Sequence, residues 1–195
     1  MIRQSRNPFA SMNVVPTAIP EVLIIEPKLF GDARGFFLET YRAERYARHG
    51  IAGPFVQDNL SRSAAGVLRG LHLQNPKAQG KLVTVLRGCV LDVAVDVRRN
   101  SPTFGRYVAV ELSDENRRQL WVPRGFAHGF VVRSETADLF YKCDEAYSPP
   151  DEIVVRWDDS ALAIPWGIDT PTLSVRDAAA PLLAEATGLP VYGAA

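Results

Sequence analysis

Val90-Leu-Asp-Val-Ala-Val-Asp-Val97 is the most diagnostic segment of the sequence, because it has a strict two-residue period. Every second position carries a branched aliphatic side chain, namely Leu91, Val93, Val95 and Val97. Two carboxylates, Asp92 and Asp96, fall between them. Because side chains of a β-strand alternate between the faces of its sheet, this segment predicts a strand with one apolar face and one that carries acids.

The same alternation continues downstream in four more segments, at residues 107–112, 120–122, 129–133 and 138–143. Residues typical of turns separate them, as in the Ser-Pro-Thr-Phe-Gly run at 101–105. Many short strands joined by such turns favour an antiparallel sandwich or barrel over repeated βαβ units. We therefore expect a mainly β protein.

Two segments interrupt the strand pattern. Residues 40–49 have a helical length and are followed by Gly50, a typical C-terminal stop. Residues 177–187 are rich in Ala and Leu and are followed by Gly188. We predict short helices at both places, flanking a single β-rich domain of residues 14–195. Residues 1–13 are expected to form a flexible N-terminal extension.

The composition limits the classes of function. The 195 residues include 22 Lys and Arg and 22 Asp and Glu, which gives a formal net charge of +0. This balance argues against a protein that binds nucleic acid through a broad basic surface. Apolar runs fall far short of the roughly 20 residues of a membrane helix, and no signal-peptide core follows the basic start. With only 2 cysteines and no CxxC motif, the expected setting is reduced and cytoplasmic, without membrane contact.

Histidines are the first candidates for chemistry. His128 follows a turn in a Pro-x-Gly-x-x-His element that resembles the second motif of cupin barrels, where the histidine is often a metal ligand. The first cupin motif usually supplies His-x-His and a nearby Glu, but here it reads His72-Leu-Gln74 and no such Glu follows. Transition metals usually need three or four protein donors, so we predict a site without metal.

The strand around His72 leaves two interpretations open. On a regular strand His72 and Gly70 share one face and Arg69 points the other way, whereas a bulge at Gly70 would bring His72 and Arg69 into one site. A buried histidine and arginine need polar partners. Either a polar cavity or a carboxylate at a subunit contact would supply them.

Tyr141 and Asp177 also have two interpretations each. Tyr141 shares the apolar face of its strand with Leu139 and Cys143, so its phenol should point inward. It is either a hydrogen-bonded core residue or a proton donor whose pKa neighbouring cations lower. Asp177 precedes the second predicted helix, where it either caps the helix or orients an imidazole.

An ordered set of motifs runs from Ile19 to Leu183, nearly the whole chain. Among them are Phe30-Gly-Asp-Ala-Arg-Gly-Phe-Phe-Leu-Glu39, Phe55-Val-Gln-Asp-Asn-Leu-Ser61, Leu68-Arg-Gly-Leu-His-Leu-Gln74 and Trp121-Val-Pro-Arg-Gly-Phe-Ala-His-Gly-Phe130. Together they resemble the dTDP-4-dehydrorhamnose 3,5-epimerase family. This resemblance implies a cupin-type jelly-roll barrel that forms a homodimer, uses no cofactor or metal and acts on a dTDP-sugar.

The resemblance also implies the division of catalytic roles. The substrate would be dTDP-4-dehydro-6-deoxy-glucose, whose C4 ketone acidifies the hydrogens at C3 and C5. His72 would remove each proton, with Asp177 as its orienting partner. Lys81 would stabilise the enolate, with help from Arg69. Tyr141 would return a proton to the opposite face, which inverts the carbon.

Further residues match family positions that hold the nucleotide sugar: Phe30, Arg34, Glu39, Gln57, Asn59, Arg69, Lys81, His128, Tyr147, Glu152 and Arg176. Of these, the family places Arg34 and Glu39 in the pocket of the neighbouring subunit and Tyr147 against thymine. Two positions depart from the family pattern. Family members often have Lys at the position of Arg176 and a second Tyr at the position of Ala146. Both departures concern affinity more than reaction type.

Three other functions compete with this interpretation. The closest is an epimerase that inverts only C3 or only C5 in a deoxysugar pathway, because its motifs are nearly the same. A non-catalytic sugar-binding cupin is disfavoured, since binding alone does not need an acid facing a base. A metal-dependent cupin oxygenase is disfavoured by the missing ligands.

Overall fold

The computed structural model describes residues 12–193. Thirteen strands are present in this range: β1 (Asn13–Pro16), β2 (Leu23–Glu26), β3 (Leu29–Asp32), β4 (Gly35–Leu38), β5 (Gln57–Ala64), β6 (Leu68–Gln74), β7 (Lys81–Arg87), β8 (Cys89–Asp96), β9 (Tyr107–Ser113), β10 (Gln119–Val122), β11 (Phe126–Val132), β12 (Thr136–Cys143) and β13 (Glu152–Val154). The helices are α1 (Ala43–Ala47) and α2 (Val175–Ala178), with a 3₁₀ turn at Pro149–Asp151. The predicted mainly β class is confirmed.

The strands form two antiparallel sheets and one hairpin. The six-stranded sheet has the order β1-β2-β10-β7-β12-β5, and the five-stranded sheet has the order β13-β6-β11-β8-β9. β3 and β4 pair only with each other. Such non-sequential neighbours are typical of jelly rolls, in which two packed sheets take strands from distant parts of the chain.

The inner faces of the two sheets enclose the first apolar core. Val83, Val85 and Leu139 come from the six-stranded sheet, while Val110 and Phe130 come from the five-stranded sheet. A second core lies on the outer face of the five-stranded sheet, where Leu183, Leu189 and other residues of the C-terminal segment cover it. The five-stranded sheet is therefore buried on both faces.

The strand β8 confirms the alternation predicted for residues 90–97. Val93 and Val95 pack into the outer core, whereas Val90 and Ala94 face the inner one. Asp92 and Asp96 share the inner face, and both are 0% exposed. The acidic face of the strand therefore points into the barrel, where each carboxylate needs a partner.

The predicted helices are shorter than expected. α1 covers only Ala43–Ala47 of the predicted residues 40–49. The helix predicted at 177–187 is wrong, because α2 ends at Ala178 and the chain continues in turns. Pro181 explains this end, since proline has no N–H for the helix and disfavours helical geometry in the preceding residue.

The N-terminal boundary differs slightly from the prediction. Asn13 already belongs to β1 and pairs with Glu26. The rest of the predicted flexible extension, residues 1–11, lies outside the described residues. None of the helices described between residues 12 and 193 is long and apolar enough to cross a membrane.

Candidate active site

The antiparallel pairing of β6 with β11 brings two histidines together. His72 and His128 are Cα partners in the antiparallel pairing of these strands. A Cβ atom on Gly70 would lie 2.6 Å from the Cα of Gly129 and from the carbonyl oxygen of His128, a distance that no side chain tolerates. Gly70 also has a φ of 117°, which strongly favours glycine. The two glycines therefore allow the close approach of the strands.

Of the two interpretations left open for the strand around His72, the structure has the bulge at Gly70. The register shifts between the His128–His72 pair and the Phe130–Arg69 pair, so β6 carries one residue more than β11. Leu68 and Leu71 consequently pack into the same outer core, although they are three residues apart. Arg69 and His72 then share the inner face of the strand, as the bulge interpretation required.

His72 is paired with Asp177 on α2. The distance between His72 Nε2 and Asp177 Oδ1 is 2.6 Å. Ser174 is the N-cap of this short helix, and its Oγ accepts a hydrogen bond from the Asp177 amide and donates one to Asp177 Oδ2 at 2.8 Å. Asp177 is thus the third residue of the helix rather than its cap. The Ser-x-x-Asp spacing at 174–177 is a capping-box pattern that could have revealed Ser174 from the sequence.

Asp177 stays ionised despite its burial. Burial alone would raise the pKa of Asp177, but hydrogen bonds from His72 and Ser174 and the charge of His72 outweigh it and lower the pKa below 3.8. A carboxylate so held orients the imidazole and stabilises it when it gains a proton. The pair therefore has the geometry of a general base.

Lys81 and Tyr141 lie on the six-stranded sheet, which faces the His72 strand. Lys81 is 9% exposed, and burial lowers the pKa of its ammonium. Tyr141 is partly buried, and burial raises the pKa of its phenol, followed by the effect of Cys143. The prediction that cations lower this pKa is wrong, because the effect of Arg69 is smaller than that of burial. A phenol with a raised pKa is neutral at pH 7 and carries its proton.

The polar atoms of both side chains keep some access to solvent. The buried side-chain N and O atoms without a hydrogen-bond partner among residues 12–193 are Glu39 Oε1, Ser61 Oγ and Asp92 Oδ2. Neither Lys81 Nζ nor Tyr141 Oη makes a hydrogen bond within that range, yet neither is in this set, so each keeps access to solvent. Tyr141 thus packs against the inner core, but its hydroxyl has no hydrogen bond among the described residues.

A second histidine–aspartate pair lies beside the first. His128 Nε2 is 2.9 Å from Asp92 Oδ1, and the two residues are 6% and 0% exposed. The sequence pattern places Asp92 on the acidic face of its strand but indicates no partner for it. We call the mostly buried group of acid–base residues the floor of the site; it consists of His72, Asp177, Lys81, His128 and Asp92.

A more exposed group of residues, called the rim below, consists of Tyr147, Glu152 and Arg176. The Tyr147 hydroxyl donates to Glu152 Oε2 at 2.6 Å, and the Arg176 guanidinium donates to the same oxygen. Gln57 accepts a hydrogen bond from the Tyr147 amide at 2.8 Å and donates to Asn59. The rim thus contains an arginine and an aromatic ring that are open to solvent.

The hairpin side of the molecule holds the remaining candidates. Arg34 pairs with Asp32, Phe30 stacks under Lys28, and Glu39 lies 2.8 Å from Arg45. These three contacts lie outside the floor and the rim.

The arrangement offers acid–base groups rather than a metal centre. Within residues 12–193, no group of three or more His, Cys, Asp or Glu side chains has the geometry to hold a metal ion. Each histidine of the floor has its Nε2 occupied by a carboxylate. The fold and the site define a cupin-type barrel enzyme.

Comparison with known proteins identifies the family. The family model described as dTDP-4-dehydrorhamnose 3,5-epimerase matches residues 16–185. The enzyme of that name from Salmonella typhimurium is 55% identical over 178 residues, which cover 90% of this chain and 97% of the relative. The chain therefore belongs to the dTDP-4-dehydrorhamnose 3,5-epimerase family.

Two further relatives bear on the reaction. The solved structure of dTDP-6-deoxy-D-glucose-3,5-epimerase from Legionella pneumophila, in complex with dTDP-4-keto-L-rhamnose, has a TM-score of 0.92 and 54% identity, covering 94% of this chain and all of that chain. A dTDP-4-dehydrorhamnose 3-epimerase from Streptomyces niveus is 42% identical, covering 93% of this chain and 90% of the relative. The family thus includes enzymes named for two centres and for one.

Proposed function

We propose that this protein converts dTDP-4-dehydro-6-deoxy-D-glucose to dTDP-4-dehydro-L-rhamnose by inverting C3 and C5. The observation that carries the proposal is that His72, paired with Asp177, lies on one sheet while Tyr141 and Lys81 lie on the facing sheet. A sugar bound between the sheets would meet a base on one face and an acid on the other. That geometry is what inversion requires.

The proposed reaction begins with proton removal by His72. The C4 ketone makes the hydrogens at C3 and C5 acidic, and neutral His72 takes one while Asp177 stabilises the resulting imidazolium. The electron pair moves into an enolate at O4. The ammonium of Lys81, partly stripped of water, is the cation available on the floor to stabilise that oxygen.

The second half of the reaction is reprotonation from the opposite face. Tyr141 donates its phenolic proton to the carbon, and the C4 ketone forms again. Tyr141 then regains a proton from solvent and His72 releases one to solvent, so each inversion is balanced. The solvent access of the Tyr141 hydroxyl supports this exchange. The same set acts first on one carbon and then on the other.

The nucleotide would be held at the rim and along β5. Arg176 suits a diphosphate because a guanidinium binds two oxygens at once. Tyr147, half exposed, offers a ring face for thymine. The remaining sugar-nucleotide ligands in this proposal are Gln57, Asn59, Arg69, His128 and Glu152.

We also propose that two copies form a homodimer through the outer face of the six-stranded sheet. Leu60 and Leu86 on this face are 65% and 48% exposed, and Phe36 and Phe37 of the nearby hairpin are 52% and 58% exposed. Exposed apolar patches of this kind mark interaction sites. In such a dimer Phe30, Arg34 and Glu39 would serve the neighbouring pocket. Sedimentation analysis should give twice the chain mass, and Leu60→Glu should shift it to the monomer.

The cellular setting stays a proposal as well. The two cysteines, Cys89 and Cys143, are both free thiols, which fits a reducing compartment such as the cytoplasm.

The decisive experiment is incubation with the 4-keto sugar nucleotide in deuterated water, with C3 and C5 followed by NMR. Deuterium and inversion at both carbons support the proposal. Change at one carbon identifies a single-centre epimerase, the alternative that the Streptomyces niveus relative favours. No exchange at either carbon would contradict the proposed epimerase function. A chelator in the same assay should leave the rate unchanged, and a chelator-sensitive rate would contradict the metal-free mechanism.

A further inference from the structure

Asp92 is a fully buried carboxylate with a single partner. It lies on the inner face of β8, is 0% exposed, and its Oδ1 is 2.9 Å from His128 Nε2. Its other oxygen, Oδ2, is buried without a hydrogen-bond partner among residues 12–193. A charge in such a place is costly unless it is paired.

The second pair resembles the first but is more constrained. Both histidines meet their carboxylate through Nε2, and their Cα atoms face each other across β6 and β11. Asp177 also accepts hydrogen bonds from the Ser174 hydroxyl and the Gly70 backbone, whereas His128 is the single hydrogen-bond partner of Asp92 among residues 12–193. If the His128 ring turned away, Asp92 would lose that bond and keep only the longer-range attraction of Lys81. Turning the ring is therefore costly, which fixes its orientation.

The other ring nitrogen of His128 keeps access to solvent. Nδ1 makes no hydrogen bond to any residue from 12 to 193, yet it is not among the buried unpaired atoms of that range. The residue as a whole is only 6% exposed. His72 is its Cα partner across the strand pair, so the His128 ring lies beside the proposed catalytic base.

We infer that Asp92 is a positioning residue for the sugar subsite: it holds the Nε2–H of His128 and so presents Nδ1 as a hydrogen-bond acceptor to a hydroxyl of the hexose. A neutral imidazole has one donor nitrogen and one acceptor nitrogen, so the bond to Asp92 selects which is which. A hexose hydroxyl is the matching donor. The inference rests on the proposed function only for the identity of the sugar.

The first test reads the tautomer of His128 in the unmodified protein. The chain is labelled with ¹⁵N-histidine, long-range ¹H–¹⁵N spectra are recorded at pH 7.5, and the His128→Gln variant assigns the signal. The expected pattern is a neutral ring protonated at Nε2. A ring protonated at Nδ1, or at both nitrogens, overturns the inference. This measurement requires neither turnover nor an Asp92 variant that folds.

The second test asks whether Asp92 acts through His128. Asp92→Asn should lower kcat/KM for the nucleotide sugar by about 10- to 100-fold, the range seen when the partner of a functional histidine is removed. The Kd for dTDP should stay within about twofold, because the nucleotide lacks the sugar. In a His128→Gln background, Asp92→Asn should add less than about threefold. Independent, multiplicative losses would overturn the inference.

Asp96→Asn is the matched control. Asp96 lies on the same strand and face, is also 0% exposed, and is held by Arg98, Ser101 and Thr103 instead of a histidine. The Asp96→Asn variant should have a lower melting temperature, and kcat/KM of the folded protein should be unchanged. An equal loss of kcat/KM in both variants would show that Asp92 is merely structural. If the unmodified protein does not turn over the sugar, the proposed function fails while the tautomer test still decides the role of Asp92.

Discussion

The floor and the rim of the site are built in different ways. The floor residues His72, His128 and Asp92 stand on paired strands, and their carboxylate partners are buried. The rim residues Tyr147 and Arg176 stand on a loop and a four-residue helix, and their side chains are about half exposed. Groups that move protons thus sit on rigid elements, while groups that recognise the nucleotide sit on exposed ones. This difference predicts that floor changes reduce kcat and rim changes raise KM.

The largest effect is expected for His72→Ala. Loss of the base should lower deuterium exchange at C3 and C5 together by at least about 10³-fold, within the usual range for acid–base groups. NMR exchange rates in deuterated water measure this effect. His49→Ala, which removes an exposed histidine, should leave both rates unchanged. Substantial exchange at either carbon in the His72 variant would mean that another base acts there.

The second-largest effect is expected for Lys81→Met, which should lower kcat by about 10²- to 10³-fold, as removal of one oxyanion donor does. The pH profile gives a sharper test. Lys81 must be protonated, and burial lowers its pKa, so activity should fall as pH rises through a value below 10.5. Lys81→Arg should move this alkaline limb upward, because guanidinium does not titrate in this range. An alkaline limb that does not move would assign it to another group.

Tyr141→Phe should separate exchange from inversion. His72 can still remove a proton and return it to the same face, so deuterium should enter while net inversion falls by about 100-fold. Chiral product analysis by NMR distinguishes the two processes. The control is Tyr107→Phe, because the Tyr107 hydroxyl donates to the Ala163 carbonyl on the outer side. Parallel loss of exchange and inversion would argue against Tyr141 as the proton donor.

The smallest effect is expected at the rim. Arg176→Ala should raise KM by about tenfold, since a charge-assisted hydrogen bond contributes roughly 1.5–3 kcal/mol at most, and kcat should change by less than about twofold. Steady-state kinetics at fixed ionic strength checks this. Arg62→Ala removes another exposed guanidinium, which pairs with Asp138, and it should leave KM and kcat unchanged. A drop in kcat with Arg176→Ala would contradict the prediction that rim changes affect KM and floor changes affect kcat.

Local patterns in the sequence predicted the strands well. The two-residue period of residues 90–97 correctly indicated β8, and Gly70 correctly indicated a bulge, because both depend on neighbouring residues only. The helix predicted at 177–187 failed because composition was given more weight than Pro181. The broken helix leaves Asp177 on a single capped turn that faces β6.

Contacts between distant residues could not be read from the sequence. Asp177 meets His72 across 105 positions, and Asp92 meets His128 across 36. Only resemblance to a family suggested the first pair, and nothing suggested the second. The direction of the Tyr141 pKa was also missed, since it depends on how deeply the barrel buries the phenol.

The close backbone approach of Gly70 and Gly129 limits how the site can change during evolution. Because Gly70 and Gly129 touch through backbone atoms, the gap between the two imidazoles is set by main-chain hydrogen bonding, which side-chain repacking cannot stretch. A descendant of this protein that accepts a bulkier sugar would therefore gain room by altering loops around the barrel mouth. The close approach of Gly70 and Gly129 thus fixes the spacing of the two imidazoles, whereas the surrounding loops are free to vary during evolution.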